Sequence, residues 1–148
     1  MAEQAHEQIK VEAAPQRCYE VTIDFERYPD WAKDVKQATV LSRDDEDRGE
    51  KVEYRVAGFG KSIHYTLQYD FDAAPDAFSW RLREGEMLRK LDGTYRFESD
   101  GDATLITYDL VIDLSAPLPG LIKRRAAGKI VGTALRELKK EIERSQSR

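Results

Sequence analysis

Apolar residues recur at every second position through most of residues 35 to 114, and from about Pro119 to Glu143 they recur at every third or fourth. A strand turns successive side chains to opposite faces, whereas a helix returns to one face after about 3.6 positions. The chain therefore reads as a short helical start, a long run of strands with one apolar face, and a single amphipathic helix. A sheet wetted on one side must cover its other face, and the closing helix is the cover at hand. The expected class is α+β: a curved antiparallel β-sheet holding a long C-terminal α-helix. The space between them is either filled by side chains or kept for a ligand.

The strand phases can be read residue by residue. Glu7 to Glu12 alternates as a half-buried strand does. Val52, Tyr54 and Val56 alternate with Glu53 and Arg55, and Gly58-Phe59-Gly60 turns the chain. Ile63, Tyr65, Leu67, Tyr69 and Phe71 then share one side, opposite Ser62, His64, Thr66, Gln68 and Asp70. Phe78, Trp80 and Leu82 follow, then Met87, Leu91, Tyr95 and Phe97 beyond a turn at Gly85. Asp100-Gly101 closes a hairpin onto Ile106, Tyr108, Leu110, Ile112 and Leu114. Asp92-Gly93 interrupts one run, where glycine marks a bulge or sharp bend. Because the apolar phase is kept across it, a bend is expected rather than a tight hairpin dividing the strand.

Ahead of the sheet, Pro15 suits the first position of a helix, on which Cys18, Val21 and Phe25 make an apolar face. Pro29 breaks that helix and starts a short second one. In the final helix Ala127, Ile130, Val131, Ala134, Leu135, Leu138 and Ile142 form a broad stripe, small residues first and large ones later. Lys123 and Arg124 fall within the arc of that stripe, so its first turn is expected to overhang the core beside a cavity opening.

A chain of 148 residues suits one domain, residues 1–148, with a full core. Its 24 basic and 28 acidic side chains give a net charge of −4, which weighs against nucleic acid as the main partner. No apolar run approaches the ~20 residues that span a bilayer. The opening residues lack the basic-then-apolar order of an export signal, so a cytoplasmic location is expected. Cys18 alone forms no intrachain disulfide and no cysteine metal cluster. The charge is segregated: from Leu121 onward nine basic residues face three acidic ones, a net +6 that leaves −10 for the rest. Asp44-Asp45-Glu46-Asp47 is the densest acidic stretch and reads as a solvated hairpin loop.

No catalytic constellation stands out. His6 and His64 belong to no metal-spaced motif, and there is no nucleophile elbow or phosphate loop. His64 has the outward phase, and Cys18 reads as a core thiol. No catalytic residue, metal or cofactor is assigned. Gly128 and Gly132 mark closeness to the sheet or room for a ligand. Arg89 shares the phase of Met87 and Leu91. Irregularity after Gly85 turns it outward, or its stem lies along the sheet edge. If it points in, it can hold a ligand carboxylate, phosphate or carbonyl. Tyr54, Tyr65, Tyr69, Trp80, Tyr95 and Tyr108 have the apolar phase and either fill the core or line a pocket.

The segment Val21-x-x-Asp24-x-x-x-Tyr28-Pro29-x-Trp31, the meander, and the Pro117-Leu-Pro-Gly120 lead into the long helix together resemble the START-like (SRPBCC) superfamily. Within it the likeness is to the polyketide cyclase/dehydrase and coenzyme-Q-binding branch, over nearly the whole chain. The Tyr-Pro-x-Trp segment is its most specific element. The resemblance implies a helix-grip fold with two short helices after the first strand. It also implies a hydrophobic ligand (a lipid, a quinone or a polyketide-like molecule) bound between sheet and helix.

On that reading the ligand-facing candidates are Tyr54, Tyr65, Leu67, Trp80, Arg89, Leu91 and Tyr108 on the sheet, Ile130 and Ala134 on the helix, and Tyr28 and Trp31 at the rim. Binding or transport of a hydrophobic small molecule is the first expectation. A polyketide cyclase or dehydratase using Arg89 and a buried tyrosine is the alternative, against which the lack of an inward histidine or carboxylate counts. A protein-interaction module with a filled core is the third. Lys123, Arg124 and Arg125 are either a solvated helix face or a site of transient membrane-surface contact. Oligomeric state and ligand identity stay open.

Overall fold

The computed structural model describes residues 2–58 and 60–146. Strand β1 (Glu3–Val11) leads to helix α1 (Pro15–Thr22), a 3₁₀ turn (Phe25–Arg27) and the short helix α2 (Tyr28–Trp31). A meander follows: β2 (Val35–Arg43), β3 (Gly49–Gly58), β4 (Lys61–Asp70), β5 (Ala77–Gly85), β6 (Leu88–Asp100) and β7 (Ala103–Leu114). Helix α3 (Gly120–Gln146) closes the chain. The strands form one antiparallel sheet in the order β1-β7-β6-β5-β4-β3-β2, so β1 returns to pair with β7 and every other neighbour is sequential. This is the expected helix-grip arrangement. The expected β3–β4 turn includes Phe59, which lies outside the described residues. No described helix is long and apolar enough to cross a membrane.

Both sheet edges are covered, as exposed strand edges invite foreign pairing. The 3₁₀ turn and α2 pack on β2, and α3 packs on β1. The basic character of α3 serves part of that docking. Lys123 Nζ donates to the Leu114 carbonyl at 3.0 Å, Arg124 pairs with Glu3 at 3.5 Å, and Lys139 Nζ donates to the Lys10 carbonyl at 2.8 Å. At Gly132 a Cβ would meet only the tips of flexible side chains, Glu7 Oε2 at 2.9 Å and Arg136 at 3.1 Å, which can move aside. Gly128 faces open space.

Ala127, Val131, Leu135, Leu138 and Ile142 on α3 are buried, as their spacing predicts. Ile130, expected among them, is 37 % exposed. It lies off the arc of Ala127, Val131 and Leu138, on the flank that Glu137 turns toward α2 by accepting a bond from the Lys33 N–H. On α1 the buried residues are Cys18, Tyr19 and Thr22, while Val21 is only half-buried. The helix ends at Thr22 and the chain tightens into the 3₁₀ turn. Phe25 therefore reaches the core by a different rotation from the one a continuous helix would impose.

Strand β6 runs unbroken through Gly93, which removes the alternative of a tight hairpin. Its register with β7 does not shift there, so Gly93 is no bulge either. Its role is proximity: a Cβ would meet Trp80 Cζ2 at 2.4 Å and the Asp109 carbonyl oxygen at 2.9 Å. Pairing between β5 and β6 stops at the Trp80–Gly93 pair, beyond which the Leu82 N–H is bonded by the Asp92 carboxylate at 3.0 Å. The two strands splay past this point, β5 staying with β4 and β6 with β7.

The acidic Asp44–Asp47 stretch is a hairpin loop, yet Asp44 is not a solvated charge. Its carboxylate accepts from the Glu46 and Arg48 N–H groups and from Arg48 Nε at 2.8 Å. The Arg48 guanidinium in turn lies 4.5 Å from the centre of the Phe71 ring. Desolvation pushes the Asp44 carboxyl up, but the bonds from Arg48 and Glu46 outweigh it and hold the pKa below its ordinary value. Asp44→Ala is expected to cost about 1 kcal/mol in urea unfolding at neutral pH. A lowered folded pKa stabilises above the unfolded pKa and is lost as pH falls through the folded one. The difference between the two proteins should therefore shrink only in acid.

Candidate functional site

The inner face of the sheet is a continuous aromatic wall. It follows from the strand phases, since Tyr54, Leu67, Tyr69, Trp80, Leu91, Tyr95 and Tyr108 occupy inward positions and are buried. From α2 the wall begins with Trp31 against Tyr28 (ring centres 4.9 Å apart) and continues through Tyr54 to Tyr65 (5.4 Å). On the other side Tyr69 touches Trp80, and Trp80, Tyr95 and Tyr108 form a mutual cluster with Tyr95 and Tyr108 only 4.6 Å apart. Tyr65 and Ala134 are half-buried at the margin of this core.

The phenol groups converge. The Tyr54 and Tyr69 hydroxyls share a hydrogen bond of 2.7 Å, and the Tyr28 hydroxyl donates to the Thr22 carbonyl at 2.5 Å. Tyr28, expected at the rim, thus points inward among the others. Burial raises the pKa of Tyr28, Tyr54, Tyr69 and Tyr108 well above the ordinary phenol value, and neighbouring phenols add to the effect. Tyr65 and Tyr95 are raised by burial alone. All six stay protonated near neutrality and present neutral O–H donors.

Three of these six hydroxyls take part in no hydrogen bond. The hydroxyls of Tyr65, Tyr95 and Tyr108 have no hydrogen-bond partner among the described residues. Tyr95 and Tyr108 are each only 7 % exposed. None of the three oxygens is among the fully enclosed side-chain atoms that lack a partner, so each keeps contact with open space although the rings are largely buried. All three lie on one apolar wall, where an oxygen-bearing guest can accept from them.

Arg89 does not join the set. The register slips between Leu88 and Lys90, leaving Arg89 as the extra residue of a bulge. Its side chain is 64 % exposed, and its guanidinium lies 4.0 Å from Asp113 on the outer phase of β7. Alternation through Met87, Arg89 and Leu91 fails because one inserted residue reverses the phase. Tyr95, left out of the ligand candidates though it has the inward phase, belongs with Tyr108. Its phase was visible in the sequence, but its unpartnered hydroxyl was not.

Two clefts open on the surface. One of about 560 Å³ lies against the Asp44–Arg48 loop and is lined by Gln68, Asp70, Ser79 and Arg81, with Tyr69, Phe71 and Trp80 also contributing. The other, about 320 Å³, lies between α1, α2 and the end of α3, with Trp31 beside Arg17, Arg27 and Arg144. Both are walled mainly by charged and polar groups that water satisfies well. The interior sets phenol hydroxyls that no protein group engages among apolar rings, which these clefts do not, and this makes it the stronger candidate. Among the described residues no group of three or more metal-ligating side chains occurs.

The family described as "Polyketide cyclase / dehydrase and lipid transport" matches residues 2–143. Among solved structures, a START superfamily protein from Mycobacterium smegmatis superposes with a TM-score of 0.89 at 22 % identity, covering 95 % of this chain and 97 % of its own. A Thermus thermophilus protein gives 0.83 at 19 % identity, with 96 % and 98 % covered. The Zhui aromatase/cyclase from a Streptomyces species gives 0.78 at 17 % identity, with 97 % and 95 % covered. At these identities the likeness is one of fold. No curated protein matches the sequence.

Proposed function

The chain belongs to the polyketide cyclase / dehydrase and lipid transport family, and from that premise we propose that it binds a hydrophobic, oxygen-bearing small molecule between the aromatic wall and α3. The observation that carries this reading is the set of unpartnered phenols, Tyr65, Tyr95 and Tyr108, on an otherwise apolar surface. Apolar burial supplies the driving force, at ~25 cal/mol per Å² before ordering costs. The phenols select: as neutral donors they favour carbonyl or hydroxyl oxygens, as in a quinone or aromatic ketone, over a bare acyl chain. Trp31 and Ile130 stand at the margin, and Leu67, Leu91 and Ala134 supply apolar contact.

Cyclase or dehydratase chemistry is less well supported. The outward turn of Arg89 removes the group that would polarise a carbonyl. The titratable groups along the wall are phenols held protonated, and none is a base near neutral pH.

Native mass spectrometry of the purified protein, followed by calorimetric titration with quinones, aromatic ketones and fatty acids, tests the reading. Tyr95→Phe and Tyr108→Phe should each weaken an oxygenated ligand by about tenfold. Each should leave the ligand-free protein as stable as before or slightly more so, because the lost hydroxyl had no partner. Tyr54→Phe should do the reverse to stability, since it orphans the Tyr69 hydroxyl. An empty protein that takes up none of these ligands would refute the proposal.

A further inference from the structure

Among the described residues, four large apolar side chains are exposed, and three of them, Leu121 (53 %), Ile122 (45 %) and Ile130, lie in the first half of α3. The same stretch, residues 121–136, holds five Lys and Arg and no Asp or Glu. Lys123 is committed to the Leu114 carbonyl, and Arg124 reaches Glu3 with most of its side chain still exposed. Arg125 and Lys129 are exposed on the outer side of the helix with Ile122.

We propose that this end of α3 is a docking surface for an anionic lipid bilayer. The apolar side chains are spread around the helix between cations and do not merge into one dry patch, so they suit shallow insertion among headgroups better than a shaped protein groove. The charge pattern supplies the complement: basic residues near a surface of anionic lipid each contribute about 1 kcal/mol. The rest of the molecule carries the acidic excess, with −10 lying before Leu121. The net charge outside this stretch therefore opposes approach to an anionic surface, while this end of α3 favours it. The contact is peripheral, since no described helix is long and apolar enough to span a bilayer. It does not depend on what, if anything, the aromatic interior binds.

Flotation of the full chain with phosphatidylcholine vesicles, with and without phosphatidylserine, tests it. Binding is expected only with phosphatidylserine and should fall as salt rises. Leu121→Ser with Ile122→Ser should weaken partitioning about tenfold. Arg125→Glu with Lys129→Glu should weaken it roughly thirtyfold or more. The same charge change at exposed Lys36 and Arg96 should leave it nearly unchanged, and circular dichroism should find all variants folded. No binding to phosphatidylserine vesicles, equal binding to neutral ones, or indifference to the α3 substitutions would overturn the proposal. Capture of an acidic protein without vesicle binding would overturn it too.

Discussion

Phe78→Ala is expected to cost about 3–5 kcal/mol of folding stability, the range for removing a fully buried aromatic ring. Phe78 is 2 % exposed and sits where the aromatic core is densest. Its ring packs edge-on against Tyr19 and Phe25, tilted against Tyr69, Phe71, Trp80 and Tyr95, and stacked near Phe97. These partners come from α1, the 3₁₀ turn, the strands β4, β5 and β6, and the β4–β5 connection. The ring thus joins the helical start of the chain to the middle of the sheet. Large neighbouring rings cannot collapse into the space left by a methyl group, so the cost should lie high in the range. Urea unfolding gives the value, and near-ultraviolet circular dichroism should lose intensity as the rings loosen. A loss under about 1.5 kcal/mol would mean that the cluster relaxes around the cavity and is not the centre of the core.

Gly93→Val should destabilise by about 3 kcal/mol, the upper part of the range for overpacking. The first added carbon already meets Trp80 Cζ2 at 2.4 Å and a backbone oxygen of β7 at 2.9 Å. The backbone cannot move without breaking the β6–β7 ladder, so the indole must swing off the strand. Trp80 faces Tyr95 and Tyr108, and its displacement would push it into the space where a ligand is proposed to lie. The substitution should therefore reduce ligand affinity as well as stability. In a Trp31→Phe background, the emission of Trp80 should shift as its surroundings change. Gly93→Ala should give a smaller effect in the same direction. A fully stable Gly93→Val protein with unchanged emission would disprove the close-approach role.

Much of the architecture was legible in residue spacing. Period-two alternation located six of the seven strands and put the inward tyrosines on the correct face, because one buried face forces the register. The small-then-large stripe of α3 identified Ala127, Val131, Leu135 and Leu138 as core. Strict alternation failed where one residue altered the count, although the irregularity expected after Gly85 had allowed for an outward Arg89. The bulge at Arg89 reversed the side chain's phase, and the 3₁₀ turn after Thr22 changed the rotation that carries Phe25 inward. Asp44 looked like a solvent charge because nothing local announces that Arg48 and Phe71 will close over it.

The sequence by itself determined the order of elements, the face each strand buries and the presence of a covering helix. These follow from local periodicity and from the rule that apolar faces must be covered. Only the tertiary structure decided which phenols find partners and which remain open. It also decided which α3 cations dock on β1 and which face outward, and why position 93 must be glycine. Such outcomes turn on distances of a few tenths of an ångström between residues far apart in the chain. A sequence pattern constrains which way a side chain points, but not what it meets there.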